Sequence, residues 1–198
     1  MKQSHKQYID LYRAHRDMVN DGSTEVMNQQ REAAAALLEE QGLPSHKEER
    51  YKYTDAEEAF APDYGLNLRR TPSNVDPYEV YKCNVPNLST SLFFVVNDVP
   101  CDAPQSARAL LPEGVIITSF RQAATMGRAD LLEKYYNQAA ANDRDFKTGH
   151  DGVTLLNTLL AQDGLLIYLP KGTELKAPIQ VVNVAAARMD MMCVRRII

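Results

Sequence analysis

Three cysteines, four histidines and several acidic pairs are the residues of this chain whose types could do chemistry. Zinc and iron–sulfur sites draw their ligands at short spacings from one loop or helix turn. Cys83, Cys101 and Cys193 are instead widely and irregularly spaced, and His5, His15, His46 and His150 do not pair with them. Distant residues can converge in space, so the spacing argues only weakly against a metal. A lone cysteine in an apolar stretch, such as Cys83 or Cys193, is most often a small core residue. Neither GxGxxG nor GxxxxGK[ST] occurs, which leaves dinucleotide and P-loop phosphate binding without support. Lys171-Gly172-Thr173 holds the phosphate-loop residue types in the wrong order and follows a strand as a turn would. No GxSxG elbow is present, and nothing suggests a Ser-His-Asp set. Glu39-Glu40, Glu48-Glu49 and Glu57-Glu58 lie in strongly polar surroundings and read as solvated faces. A general acid–base pair would need burial to split its two pKa values.

The densest polar-aromatic cluster is Pro44-Ser45-His46-Lys47-Glu48-Glu49-Arg50-Tyr51-Lys52-Tyr53-Thr54-Asp55. Alternating bases and tyrosines could stack on single-stranded nucleic acid. The chain as a whole is acidic, with 22 Lys+Arg against 26 Asp+Glu and a net charge of −4, which excludes the broad basic surface of a nucleic-acid binder. The plainer reading is a capped loop-to-helix turn whose tyrosines pack on the helices before it. Arg50, Tyr51, Lys52 and Tyr53 are then a structural or partner-facing motif, with no catalytic, cofactor-binding or metal residue assigned.

The elements that must hold these groups change twice along the 198 residues, a length that allows one large domain or two small ones. With 44% apolar residues the chain can bury a core without staples, and an odd cysteine count without CxxC fits a reducing compartment. The charged start Met1-Lys2-Gln3-Ser4-His5-Lys6 lacks the apolar stretch of a signal peptide, and no run approaches a membrane span. A soluble, cytoplasmic protein is expected.

Tyr8, Leu11, Tyr12, His15 and Val19 form one stripe at helical spacing. After Asp21-Gly22, Ser23 or Thr24 can cap a second helix running from Glu25 to Gln41, with Gly42 as the positive-φ stop and Pro44 beyond it. Residues 1–43 are thus a helical hairpin. Eight of the ten prolines fall between Pro44 and Pro112, which demands loops and short strands there. Leu92–Val96 is a strand closed by Asn97-Asp98, and Gly114–Phe120 is another. Helical spacing returns at Arg121–Met126, at Ala129–Ala140 and, after the cap-like Asp151-Gly152, at Val153–Ala161. Strands are expected at Leu165–Leu169, Pro178–Val184 and Met191–Ile198, recurring as the rungs of a β-solenoid would, although a sandwich gives similar strands. The fold class is α+β: helices in 1–43, a mixed region in 44–150, and from 151–198 the first rungs of a parallel β-helix. Because the sequence closes on the apolar run Val194-Arg195-Arg196-Ile197-Ile198, it reads as the front of a longer protein with a self-associating edge.

These motifs resemble a known family. Pro44 to Asp55 is similar to the Trp-Lys-Tyr-Thr-Asp element near the amino terminus of the SufB/SufD family of the SUF iron–sulfur assembly system. Phe94-Val95-Val96-Asn97-Asp98, followed by Leu111-Pro112-Glu113-Gly114-Val115, resembles a second family stretch. Most specific are Leu155-Leu156-Asn157-Thr158, Asp163 to Gly172 and Pro178-Ile179-Gln180, which resemble the family's entry into its β-helix. Arg195-Arg196-Ile197-Ile198 matches the strand after it. Tyr51 stands where the family has Trp, and Asn97-Asp98 replaces Asn-Gly. The lack of an amino-terminal cysteine cluster and the match at Tyr51-Lys52-Tyr53-Thr54 favour the SufD branch. The resemblance implies a non-enzymatic scaffold or adaptor that works with SufB and the ATPase SufC. In the family, the cluster-assembly His and Cys and the helical domain that docks SufC lie beyond the stretch matched here, so none is carried over. No cofactor is expected on these residues, although the family handles iron–sulfur clusters, and the chain alone is expected not to retain SufC. The competing class is a β-helix enzyme, an acyltransferase or carbohydrate-active protein; the spacing after Leu165 lacks the strict six-residue repeat of the former.

Overall fold

A computed structural model describes residues 3–81, 90–109, 111–141, 143–188, 190–194 and 196–198. Cys83 and Arg195 lie outside the described residues. The amino-terminal stripe forms α1 (His5–Ala14) and α2 (Arg16–Asp21), and α3 (Glu25–Gln41) follows. The expected single helix from Tyr8 to Val19 is therefore broken. His15 leaves helical geometry at φ −124° and ψ 24°, and its N–H is shared between the carbonyls of Leu11 and Tyr12. Its side chain is exposed and anchors nothing, whereas Tyr8, Ile9, Tyr12 and Val19 are buried. Neither Ser23 nor Thr24 caps α3 through its side chain. The Ser23 hydroxyl instead accepts from Arg31 Nη2 at 2.7 Å, so it is already engaged. The far end follows expectation: Gly42 has φ +75°, and its N–H bonds the Leu38 carbonyl at 2.8 Å.

Among the described residues, the proline-rich stretch holds one-turn helices, a 3-10 turn at Glu49–Tyr51 and short strands. In chain order these are α4 (Ala56–Ala59), α5 (Pro77–Val80), β1 (Ser91–Val96), β2 (Val99–Pro100) and α6 (Gln105–Arg108). Then come β3 (Ile116–Ser119), α7 (Phe120–Thr125), α8 (Ala129–Tyr135), α9 (Gly152–Leu160), β4 (Gly164–Tyr168), β5 (Ile179–Val184) and β6 (Arg196–Ile197). Three expectations shorten. Phe120 opens α7 instead of closing a strand, because Ser119 accepts the Gln122 N–H and starts a helix there. The helix expected to reach Ala140 stops at Tyr135, and Asn137 turns left-handed at φ +59° before a 3-10 turn over Gln138–Ala140. Of the last expected strand, Arg196 and Ile197 pair, because β4 begins at Gly164, opposite Arg196, with Leu165 opposite Ile197; upstream, Met191 bridges Gly65 instead.

Among the described residues two three-stranded sheets result, ordered β2-β1-β5 and β3-β4-β6. In the first, β1 runs parallel to β5 from Ser91↔Ile179 to Val96↔Val184. It turns back into β2 through Asn97 and Asp98, both at positive φ, the conformation a tight hairpin needs. In the second, β4 is antiparallel to β3 and parallel to β6. The successive strands β4, β5 and β6 thus alternate between sheets.

The main core is helical. Tyr8, Ile9, Tyr12, Met27 and Leu38 from the amino-terminal helices close on Leu155, Leu156, Leu159 and Leu160 of α9, with Phe120, Leu132 and Tyr136 behind them. Phe93, Ile117 and Leu165 form a smaller cluster where side chains of both sheets meet. Adjacent strand residues face opposite ways, so Leu165 joins the small cluster and Leu166 the large one. Strand β4 is therefore buried on both faces at its start. A Cβ on Gly164 would lie 2.3 Å from the Arg196 carbonyl oxygen and 2.4 Å from the Phe120 ring, so only glycine fits there.

Candidate functional site

The polar-aromatic segment is built from a reciprocal pair. The Glu48 carboxylate accepts from the Ser45 N–H and hydroxyl, each at 2.7 Å. Burial pushes the Glu48 carboxyl up, and these bonds more than offset it, leaving it below the usual carboxylate value. The 3-10 turn then splits the motif in two. Arg50 donates Nη2 to Asp143 Oδ2, and its Nε lies 3.2 Å from Asp145 Oδ2 as an ion pair, with its guanidinium 5.1 Å from the centre of the Phe146 ring. The bond to Arg50 holds the Asp143 carboxyl below its ordinary value. Tyr51 packs against the main core and donates its hydroxyl to Asp151 Oδ2 at 2.7 Å. Burial, then that bond, raises the Tyr51 phenol well above the usual tyrosine value. Asp151 Oδ1 accepts the Val153 N–H at 2.8 Å, so Tyr51 is fastened to the residue that caps α9.

Lys52 and Tyr53 face the other way. Lys52 is exposed, and its ammonium lies 5.5 Å from the centre of the Tyr53 ring, which is 90% exposed. The expectation that both tyrosines pack on the helices holds for Tyr51 and fails for Tyr53, which follows the 3-10 turn outward. Of the acidic pairs, Glu57 departs from a purely solvated reading: it is half-buried and accepts the Ser4 N–H at 2.8 Å.

Other buried polar groups carry no short-range signature. Arg31 is fully buried in the apolar stripe of α3. Its Nη1 donates to the carbonyls of Thr158 (3.2 Å) and Leu159 (2.8 Å), at the end of α9 where carbonyls lack helical partners. Burial lowers its pKa. Arg196 reaches Thr158 Oγ1 at 3.0 Å from β6. At the start of β4, Asp163 Oδ2 accepts from Arg70 at 3.1 Å, and Oδ1 accepts the N–H groups of Gly164 (2.9 Å) and Arg121 (3.3 Å). Asp163-Gly164 is legible as a motif, but its partner Arg70 is not, since the proline-rich segment gives no period from which to read it.

Cys101 and Cys193 are half-buried, and burial pushes the Cys101 thiol above its usual value, away from the reactive thiolate. Among the described residues no three His, Cys, Asp or Glu side chains are grouped to hold a metal ion, and no helix is long and apolar enough to cross a membrane.

These polar contacts tie segments far apart in sequence into one mixed α/β unit with two small open sheets. The family described as the SufBD protein N-terminal region matches residues 2–181, and the chain belongs to this family, part of the SUF iron–sulfur cluster assembly system. No curated protein matches the chain.

Proposed function

We propose that the chain is a SufD-type, non-catalytic scaffold subunit of the cytoplasmic SUF iron–sulfur assembly complex, with SufB and SufC as its companions in the assembled complex. The family match over residues 2–181 carries the reading. The polar groups described support it, since Arg50, Tyr51, Asp151 and Asp163 hold the fold together. We read the alternation of β4, β5 and β6 between two sheets, with β4 and β6 parallel, as the opening turn of a parallel β-helix. On that reading the helices of the amino-terminal half close one end of the coil, and Lys52 with Tyr53 faces a partner subunit.

Complementation separates the branches. Expression in cells lacking SufD is expected to improve iron–sulfur enzyme activity, and expression in cells lacking SufB is not. Rescue of the SufB-deficient cells alone would move the chain to the other branch. A failure to rescue either, joined by failure to co-purify with SufB, would remove the scaffold role.

A further inference from the structure

A pocket of about 640 Å3 opens between the start of α1, the end of α3 and α4. We propose that it is a docking site for a basic side chain, lysine or arginine, presented by a partner polypeptide. Its wall is unbalanced in charge: Glu39, Glu40, Asp55 and Glu57 line it against Lys6 alone among lysines and arginines. Glu39 is held by Arg13 at 2.8 Å, and Glu40 lies 3.7 Å from Lys147. The other two carboxylates each keep an oxygen toward an imidazole.

Those two carboxylate–imidazole pairs carry the inference. Glu57 gives Oε2 to the Ser4 N–H, and its Oε1 lies 3.7 Å from His5 Nδ1. That is too long for a hydrogen bond. His5 is only 6% exposed, and its Nδ1 has no hydrogen-bond partner, a costly state for a buried polar atom. On the opposite lip, Asp55 gives Oδ1 to the Glu58 N–H, and its Oδ2 lies 3.7 Å from His46 Nε2. His46 Nδ1 is 3.2 Å from the Lys52 carbonyl. A carbonyl can only accept, which assigns the proton of the neutral ring to Nδ1 and leaves Nε2 an acceptor. In the tautomer protonated at Nδ1 alone, Nε2 and the Asp55 carboxylate face each other as two acceptors on a lip where both side chains are about half exposed.

An ammonium or guanidinium supplies several N–H donors at once and satisfies acceptors spaced this way. A metal ion is the weaker fit, because no three ligating side chains are grouped among the described residues. Leu43 and Pro44 add an apolar wall for the aliphatic stem of such a side chain. The chain's net charge of −4 favours approach of a basic segment.

Fluorescence anisotropy with a labelled hexapeptide of alternating Lys and Arg, and with an all-Glu hexapeptide as control, tests the assignment on the whole chain. Saturable one-to-one binding of the basic peptide is expected, and none of the acidic one. Glu57→Gln and, independently, Asp55→Asn should each weaken it roughly tenfold. Asparagine still caps α4, so the second variant keeps its fold even if the first does not. Glu133→Gln, on the exposed face of α8, should leave binding unchanged. Equal binding by all variants, or no binding, would overturn the proposal. Zinc chloride that binds stoichiometrically, displaces the peptide and loses its affinity in His5→Ala would overturn it in favour of a metal site.

Discussion

Removing Arg70 is the sharpest test of how the start of β4 is held. The Arg70–Asp163 pair is nearly sealed from water, with side chains 10% and 4% exposed. Burial raises the Asp163 carboxyl and lowers the Arg70 guanidinium, so for both groups desolvation outweighs mutual attraction. The pair is thus no strong source of stability compared with apolar residues of the same size, yet either partner left alone is a buried bare charge. Arg70→Ala should cost about 3–5 kcal/mol. A domain of this size loses about 2–4 °C per kcal/mol, which gives a fall in Tm of roughly 6–20 °C. Arg13→Ala, which breaks a pair about half exposed on both sides, should change stability little. Urea denaturation followed by far-UV circular dichroism measures both. Arg70→Met combined with Asp163→Asn should recover most of the loss, since asparagine can still accept the Gly164 and Arg121 N–H groups. The sign of the pH effect follows from the raised Asp163 value. A carboxyl raised by folding contributes stability that is complete below its unfolded pKa of about 3.9 and lost as pH rises through the folded value. Without Arg70 that loss is uncompensated, so the deficit of Arg70→Ala should shrink as pH falls toward the unfolded carboxyl value. Losses of Arg70→Ala and Arg13→Ala that are equal, small and independent of pH would refute the reasoning.

Tyr51→Phe deletes one bond to a buried carboxylate and should cost about 1.5–3 kcal/mol, while Lys52→Ala stays within about 0.5 kcal/mol; thermal melts of the two variants decide it. In alkaline titration followed by phenolate absorbance, Tyr8 and Tyr78 should ionise late, both being pushed by burial up to about 12. A raised phenol contributes stability that is present below its unfolded value of about 10 and lost as pH climbs through the folded one, so unfolding and the late ionisations should coincide. The depressed Asp143 carboxyl has the opposite sign: its link to Arg50 should persist down to about pH 4 and open only below it, read from the NMR shifts of Asp143.

Local chemistry made much of the fold legible. Helix α3 shows its start and its Gly42 stop, α9 its Asp151 cap, and β1, β4 and β5 their compact apolar runs between turn residues. What stayed hidden depends on distant partners. Tyr51 reads as a structural aromatic and Asp151 as a cap, but nothing local joins two residues 100 positions apart. Arg31 interrupts an apolar stripe, and nothing local points to the α9 carbonyls, 127 positions away, that receive it. His15 and Asn137 break helices whose periodicity runs on through them, because spacing records which residues are apolar and not where the backbone must turn. Of the Arg50–Tyr53 motif, the sequence announces the cluster but not that its two halves face opposite ways.

The ladder between β1 and β5 also sets an order of events during synthesis. Strand β1 leaves the ribosome with Leu92-Phe93-Phe94-Val95-Val96 complete, while its long parallel neighbour, which pairs Ser91 with Ile179, is still to be made. At about 5–20 residues per second, nearly ninety residues take roughly 4–18 s. During that interval the two-residue hairpin arm β2 covers the opposite edge of β1, and the edge that will receive β5 stays open. A five-residue apolar segment of high strand propensity, waiting for seconds with one side open, invites capture by chaperones or by another nascent copy. Yield in cells should therefore depend on translation speed between positions 97 and 179 and on holdase supply, even for variants whose equilibrium stability is unchanged.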